Sequence, residues 1–150
     1  MRLLIQRVSK AKVSVAGETT GEIGNGLLIF IGVGLEDTEA DVIESAGKVS
    51  RLRVFEDNDQ KMNLDIRQIG GKILVVSQFT LFGDTRKGNR PSFTAAARPE
   101  HAEALYQQFI NELKSLIGPE NVTEGRFGAM MDVELVNDGP VTLWVDTRLS

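Results

Sequence analysis

The residues that stand out chemically are Ser77, Gln78 and Thr80, which follow directly on an apolar run at residues 72–76. Together with Phe79 they place two hydroxyls and one amide at the end of what the pattern predicts to be a buried strand. Any one of them alone is better explained as satisfying neighbouring backbone groups. As a group they favour a site in which neutral donors and backbone N–H groups stabilise a developing oxyanion without an ionisable side chain.

Thr80 is also a candidate nucleophile, but the sequence offers no evident base to activate it. The chain has no cysteine and a single histidine. His101 lies two residues after Pro99, in the first turn of a predicted helix, where a surface position is the more common explanation. We therefore expect neither a Ser-His-Asp triad nor a histidine- or cysteine-ligated metal, and we predict no metal and no cofactor.

A second candidate is the segment Asn-Asp-Gly-Pro-Val-Thr at residues 137–142. On sequence alone the stronger interpretation is a hairpin loop. A Gly-Pro bond such as Gly139-Pro140 can adopt the cis form at modest cost, and proline has no N–H. A loop tip of this kind presents carbonyl oxygens, which are suitable acceptors for an ammonium group.

A third candidate is the segment between Asp84 and Glu100, which contains no acidic residue. It contains four basic residues, Arg86, Lys87, Arg90 and Arg98. The net charge of the whole chain is −4, which argues against a protein that coats DNA. A local basic excess nevertheless suits contact with a phosphate backbone, and a solvated loop is the common alternative.

Hydrophobic periodicity predicts the elements that position these residues. We predict strands at residues 2–8, 11–16, 26–33, 52–55 and 72–76, helices at 38–50 and from Pro99 to Gly118-Pro119, and a C-terminal hairpin that turns at 137–139. This order indicates an α/β fold, a layered single domain over residues 1–150 with mixed β-sheets and two main helices. Exposed strand edges favour a homodimer. No apolar run is long enough to cross a membrane, so a cytoplasmic location is expected.

Five segments of the chain, in order, resemble those of D-aminoacyl-tRNA deacylases. They are Gln6-Arg7-Val8, Lys61-Met62-Asn63-Leu64, Ser77-Gln78-Phe79-Thr80-Leu81, Gly88-Asn89-Arg90-Pro91-Ser92-Phe93 and Asn137-Asp138-Gly139-Pro140-Val141-Thr142. The resemblance extends over the whole chain. The third and fifth segments correspond to the two signatures of the family, and neither departs from the family pattern.

The resemblance implies hydrolysis of the ester that joins a D-amino acid to the 3′ end of tRNA. It also implies a homodimer in which a cis Gly-Pro motif reaches into the active site of the other subunit. On this chain the carbonyls of Gly139 and Pro140 would engage the substrate α-amino group and exclude an L side chain, while Arg7 would hold the loop. Glycine, which has no side chain, is then an expected second substrate.

Two accounts of the chemistry stay open at this point. In one, Thr80 is the nucleophile; in the other, the ribose 2′-hydroxyl of the substrate carries the chemistry while the N–H of Phe79 helps to hold the oxyanion. The lack of an activating base favours the second account. Two other functions also stay open: a non-catalytic nucleic-acid-binding module using the four basic residues, and a close relative with a trans Gly-Pro bond that tolerates some L substrates.

Overall fold

A six-stranded mixed sheet and two helices make up most of the fold, which the computed structural model describes for residues 1–149. The strands are β1 (Arg2–Val15), β2 (Glu18–Ile23), β3 (Gly26–Gly32), β4 (Phe55–Glu56), β5 (Met62–Leu64), β6 (Lys72–Ser77), β7 (Val122–Glu124) and β8 (Asp132–Asp146), and the helices are α1 (Glu39–Arg51) and α2 (Pro99–Ile117). Short 3-10 helices follow at Phe79–Phe82 and Pro119–Asn121. The predicted α/β class with mixed sheets and two main helices is confirmed.

Strand β1 is the strand to which most of the sheet is attached. It pairs antiparallel with β8 from Arg2 to Ser14, and it also pairs antiparallel with β3 and then with β2. Strands β6 and β7 extend the sheet in parallel from β3. A Cβ atom added at Gly21 in β2 would lie 2.8 Å from the carbonyl oxygen of Glu124 in β7. The two ends of the sheet therefore approach each other, and the sheet is nearly closed into a barrel.

The sheet has an apolar core on each of its faces, which is why β3 is buried along almost its whole length. Alternate residues of β6 separate the two cores: Ile73 and Val75 pack in the larger one with the helices, and Leu74 and Val76 in the smaller one. The side chains from α2 in the larger core are Ala102, Leu105, Tyr106, Phe109, Ile110, Leu113 and Ile117. This two-sided burial matches the continuous apolar pattern predicted for a covered strand.

Both helices begin and end close to the predicted residues because local signals fix their ends. The backbone N–H of Thr38 donates to the Asp41 carboxylate at 2.8 Å before α1, as in a capping box. Helix α2 starts with Pro99 in its first turn and is followed by Gly118 at φ +98°. Among residues 1–149, neither helix is long and apolar enough to span a bilayer.

Three predictions about strands were wrong. Residues 2–8 and 11–16 form the single strand β1, because β8 pairs with both halves and holds the intervening residues extended. The strand predicted at 52–55 is reduced to β4, which pairs only with β5 in a separate two-stranded ribbon. The C-terminal hairpin is one strand, β8, that runs alongside β1 on both sides of the predicted turn.

A bulge of several residues interrupts β8 where the hairpin turn was predicted. Val8 pairs with Asn137 and Gln6 pairs with Thr142, so residues 138–141 of β8 lie opposite Arg7 alone. The Gly139-Pro140 peptide bond is cis, and Gly139 has φ +121°. The turn-forming residues of this segment do interrupt regular strand pairing, but they form a bulge and not a hairpin because the partner strand β1 continues past them.

Candidate active site

A cleft of about 890 Å³ opens where the parallel strands β3 and β6 end side by side, with Ile31 in register with Ser77. The carboxyl ends of parallel strands are a common place for ligand sites in α/β folds. The cleft is lined by Ile31, Val33, Val76, Ser77, Gln78, Phe79, Thr80, Phe93, Ala96, Ala97, Arg98, Pro99, Ala102, Tyr106, Phe127, Gly128, Ala129, Met130, Met131 and Val133. All four residues of the predicted polar strand end, 77–80, therefore line one cleft.

The chain leaves β6 through a tight 3-10 turn. The N–H of Gln78 continues the ladder by donating to the carbonyl of Ile31 at 2.8 Å, after which Phe79–Phe82 form the turn. The first N–H groups of such a turn have no partner within it. The backbone N–H of Phe79 therefore stands at the start of the turn, at the edge of the cleft.

The hydroxyl of Thr80 has a hydrogen-bond partner in this cleft, the side-chain amide of Gln78, whose Nε2 donates to Thr80 Oγ1. An amide nitrogen that donates to a hydroxyl cannot remove its proton. Among the described residues that line the cleft, Arg98 and Tyr106 alone have ionisable side chains. The cleft therefore presents hydroxyl, amide and backbone donors, and its described lining contains no carboxylate or imidazole beside Thr80.

Aromatic rings form two parts of the cleft wall. Phe79 is 57% exposed and meets Phe93 edge to face, with ring centroids 5.1 Å apart. Tyr106 packs on Phe127 with centroids 5.5 Å apart, and its hydroxyl donates to the Val75 carbonyl at 3.4 Å. Burial, with the nearby Glu124 charge, raises the pKa of Tyr106. The hydroxyl therefore stays un-ionised, and the side chain lines the cleft without contributing a charge.

Residues 138–140 of the bulge are exposed, Val141 is half-buried, and all four lie outside the cleft lining. Arg7, only 6% exposed, fixes its base: Nε donates to the Asp138 carbonyl at 3.0 Å and Nη1 to the Val54 carbonyl at 2.7 Å. A carboxylate oxygen of Asp138 lies 3.5 Å from the same guanidinium. The contact predicted between Arg7 and the Gly-Pro segment is therefore present, but this segment is not beside residues 77–80.

The basic segment divides into two parts. Backbone bonds between Asp84 and Ser92, at 2.7 and 2.9 Å, close a loop that exposes Arg86, Lys87 and Arg90. Hydrogen bonds from Arg86 lower the pKa of Asp84 to about 2, so Asp84 already neutralises one of the four cations. Arg98 alone of the four lines the cleft, just before the first residue of α2.

Some residues near the site carried no usable signal in the sequence. Residues 127–131 form one wall of the cleft, and Met130 is 93% exposed, yet nothing in their local pattern indicated this. His101 Nε2 donates a 2.9 Å hydrogen bond to the Asp37 carbonyl, and His101 does not line the cleft. Within residues 1–149, no three acidic, histidine or cysteine side chains are grouped as a metal site would require.

Comparison with known proteins places this chain in a class of hydrolases that remove aminoacyl groups from tRNA. The family model described as D-Tyr-tRNA(Tyr) deacylase matches residues 4–146. A D-aminoacyl-tRNA deacylase of Chloroherpeton thalassium is 54% identical over 147 residues, which cover 98% of this chain and 96% of that protein. One from Alteromonas mediterranea is 57% identical over 139 residues, 93% of this chain and 94% of that protein.

The chain belongs to the D-aminoacyl-tRNA deacylase family. A solved structure named c-Myc DNA Unwinding Element Binding Protein has the same fold, with a TM-score of 0.93 and 40% sequence identity, covering 98% of this chain and 99% of that chain. The resemblance first noted in five short segments thus extends through the whole fold.

Proposed function

We propose that this enzyme hydrolyses the ester of D-aminoacyl-tRNA in the cytoplasm, releasing the D-amino acid and tRNA, and rejects L-aminoacyl-tRNA. In this proposal it acts as a homodimer in which Gly139 and Pro140 of one subunit enter the cleft of the other. Glycyl-tRNA is a second substrate because glycine has no side chain to exclude. The observation that carries the proposal is a cleft lined by hydroxyl, amide and backbone donors, with no carboxylate, imidazole or thiol among the described residues of its lining, in a chain of this family, with the Gly-Pro bulge outside that cleft.

Sheet register supports the subunit exchange. Ser77 of β6 is in register with Ile31 of β3, which in turn pairs with Leu3 of β1. The bulge in β8 lies opposite Arg7 of β1. Four residues along a strand span about 13 Å, and three strand spacings between β6 and β8 add about 14 Å in the perpendicular direction. Along the sheet the bulge is therefore displaced from Ser77 in both directions, and none of residues 138–141 lines the cleft of its own subunit.

Exposed apolar surface supports a second copy. The apolar residues of β8 that face the cores remain only partly buried; they are Val133, Leu135, Val141, Leu143 and Val145. Val136 and Trp144, which alternate with these residues along β8, are 45% and 48% exposed. Apolar surface left open along one strand is typical of an interface. A two-fold axis would bring each bulge to the other subunit's cleft in the same way.

The chemistry proposed for the cleft relies on positioning. The N–H of Phe79 and the neutral side chains stabilise the oxyanion that forms on the ester carbonyl, and the adjacent ribose 2′-hydroxyl of the substrate assists attack by water. The 3′-oxygen then leaves and takes a proton. Thr80 hydrogen-bonds to Gln78 and has no base, which supports a positioning role for it and disfavours a nucleophilic one.

Chiral selection in this proposal arises from backbone carbonyls of the bulge. They accept hydrogen bonds from the α-ammonium group of the substrate, and the space behind that group is then too small for an L side chain. Arg7 keeps these carbonyls in place through its bonds to Asp138 and Val54. The lysine and arginine residues at 86, 87, 90 and 98 are proposed to contact tRNA phosphates, with Arg86 the weakest because Asp84 neutralises it.

The direct test is deacylation of matched substrates by the purified protein. We expect release of D-tyrosine from D-tyrosyl-tRNA, slower release of glycine from glycyl-tRNA, and no acceleration with L-tyrosyl-tRNA over buffer alone. Equal rates for both enantiomers would refute the selection mechanism, and no cleavage of any substrate would refute the function.

Mixed dimers test whether the bulge acts across the interface. Gly139→Ala should admit L substrates, and Phe79→Pro should abolish catalysis by removing the N–H at a position where proline fits a helical first turn. In a mixed dimer of the two variants, the active cleft faces an unaltered bulge from the other subunit, so L-cleavage should disappear while D-cleavage persists. Persistent L-cleavage would show that each bulge serves its own subunit.

A second candidate function is nucleic-acid binding without catalysis. The exposed basic loop and the 40% identity to a protein named for binding a DNA unwinding element favour it. It predicts salt-sensitive binding of uncharged RNA or DNA that is unaffected by Gly139→Ala, with no turnover of aminoacyl esters. If the protein hydrolyses D-aminoacyl-tRNA, nucleic-acid binding is not a separate function and serves only to bind the substrate.

A further inference from the structure

We propose that Arg2 is a positioning residue that holds the 3-10 turn at Phe79–Phe82 in its working geometry. The turn carries the Phe79 N–H and the Thr80 hydroxyl, so the catalytic consequence of this role rests on the proposed function. The contacts themselves do not depend on it. Arg2 lies on β1, outside the cleft lining, and would act through the turn without touching the substrate.

The guanidinium of Arg2 joins the turn to the end of β8. Its Nη1 donates to the Leu81 carbonyl, within the turn, at 2.9 Å, and its Nε donates to Asp146 Oδ2 at 3.0 Å. Asp146 is only 6% exposed, so the carboxylate is itself held in place. Because the guanidinium donors are rigidly arranged, fixing Nε on Asp146 aims Nη1 at Leu81.

The same guanidinium lies over the ring of Phe82, the last residue of the turn, 4.4 Å from the ring centroid. The same ring also lies close to the backbone of two glycines. A Cβ atom added at Gly34 would lie 2.8 Å from Phe82 Cζ, and one added at Gly32 would lie 3.1 Å from Phe82 Cδ2. Phe82 is therefore in contact both with the Arg2 cation and with two glycines at the end of β3, and this set of contacts is called the clamp below.

Without Arg2 the turn has few supports of its own. A 3-10 turn of four residues has poor hydrogen-bond geometry. Two other contacts of the turn are the Gln78 N–H on the Ile31 carbonyl and the edge contact of Phe79 with Phe93. Both lie at the start of the turn. Loss of Arg2 would leave the far end held by the packing of Phe82 and by the backbone bonds between Asp84 and Ser92. Small displacements of groups that stabilise a transition state reduce rate strongly.

The variant Arg2→Met keeps the apolar stem and removes the donors and the charge. We expect kcat for D-tyrosyl-tRNA to fall roughly 10- to 100-fold while KM changes less than about twofold, because the proposed tRNA contacts are elsewhere. Amide hydrogen exchange of the peptide covering residues 78–84 should accelerate. Arg2→Lys should recover part of kcat, since an ammonium cannot occupy both acceptors and lie on Phe82 in one geometry.

Lys12→Met is the matched control. Lys12 lies on the same strand, makes a 3.1 Å ion pair with Glu134 of β8 and has a side chain 38% exposed, compared with 33% for Arg2. It should leave kcat and the exchange of residues 78–84 unchanged. The only tryptophan, Trp144, lies 5.8 Å from the Arg2 guanidinium, so its emission should change in Arg2→Met and not in Lys12→Met.

The outcomes separate this inference from the proposed function. Faster exchange at residues 78–84 in Arg2→Met alone supports the clamp, even if the wild-type protein deacylates nothing and the function fails. Unchanged exchange overturns the clamp, whatever the activity. If the wild type is active, a loss of kcat that merely follows the unfolded fraction measured by circular dichroism, with no recovery in Arg2→Lys, also overturns it.

Discussion

Substitution of Gly139 by alanine tests most directly whether the bulge in β8 selects the handedness of the substrate. Both the backbone conformation and the neighbours of this residue oppose a side chain. Gly139 has φ +121°, and an added Cβ would lie 3.0 Å from Arg7 Nη2 and 3.2 Å from both the backbone N and Cγ2 of Val141. Arg7 cannot move away easily, since it is buried and its other donors are bound to Asp138 and Val54. We therefore expect the bulge to shift.

The magnitude can be estimated from these two effects. A non-glycine residue in a sparsely populated positive-φ conformation costs about 1–3 kcal/mol, and an exposed bulge can relax the contacts. The free energy of unfolding should therefore fall by about 1–3 kcal/mol and leave a folded protein. Gly17→Ala is the matched control: Gly17 has φ +82° but no atom within 4 Å of an added Cβ, so it carries the conformational cost without the contact.

The assay combines urea unfolding with deacylation of D- and L-tyrosyl-tRNA. Gly139→Ala should reduce the ratio of D to L rates at least tenfold, which corresponds to about 1.4 kcal/mol of lost discrimination, while Gly17→Ala keeps the wild-type ratio at similar stability. If Gly139→Ala loses stability but keeps the full ratio, the bulge is a structural feature only and the reasoning fails.

Three further predictions follow from the site and its surroundings. Thr80→Ala should keep kcat within about tenfold of wild type, whereas tRNA ending in 2′-deoxyadenosine should be cleaved at least about 100-fold more slowly; the reverse pattern in single-turnover assays would restore the threonine nucleophile. Replacing Lys87 and Arg90 together by alanine should weaken tRNA binding and reduce the slope of log K against log salt by about 0.7 for each lost phosphate contact, and an unchanged slope in filter binding would place the tRNA elsewhere. Burial opposes ionisation of Asp41, but hydrogen bonds from the Thr147 hydroxyl and the Thr38 N–H outweigh it and lower its pKa. The ionised carboxylate therefore stabilises the fold at neutral pH, and this stabilisation is lost as the pH falls through the lowered pKa. Asp41→Asn should accordingly flatten the acid side of a plot of unfolding free energy against pH.

The sequence predicted features whose causes are local. Both helices were found because period, caps and stop signals lie within the helices themselves, and the polar strand end was found because four adjacent residues contain it. The pairing of β8 with β1 depends on residues more than a hundred positions apart, so no local pattern could distinguish a hairpin turn from a bulge. The wall at residues 127–131 was missed for the same reason.

Arg7 shows a signal that sequence reasoning can use. Leu3, Ile5 and Arg7 share one face of β1, and the first two are at most 1% exposed. A charged residue in phase with buried apolar positions must have partners in the interior. The predictions from the sequence made no use of this alternation, which identifies Arg7 as a buried, bonded residue without identifying the Asp138 and Val54 carbonyls as its acceptors.

The bulge in β8 also affects how the protein behaves at high concentration. Among the described residues, β8 pairs with β1 alone, so a strand running from Asp132 to Asp146 has an open edge. A flat edge of that length is a template for the addition of further strands and for aggregation. The looped residues 138–141 interrupt the row of backbone donors and acceptors, leaving two segments of ordinary strand length. The feature proposed to select the handedness of the substrate therefore also hinders the chain from assembling into fibres.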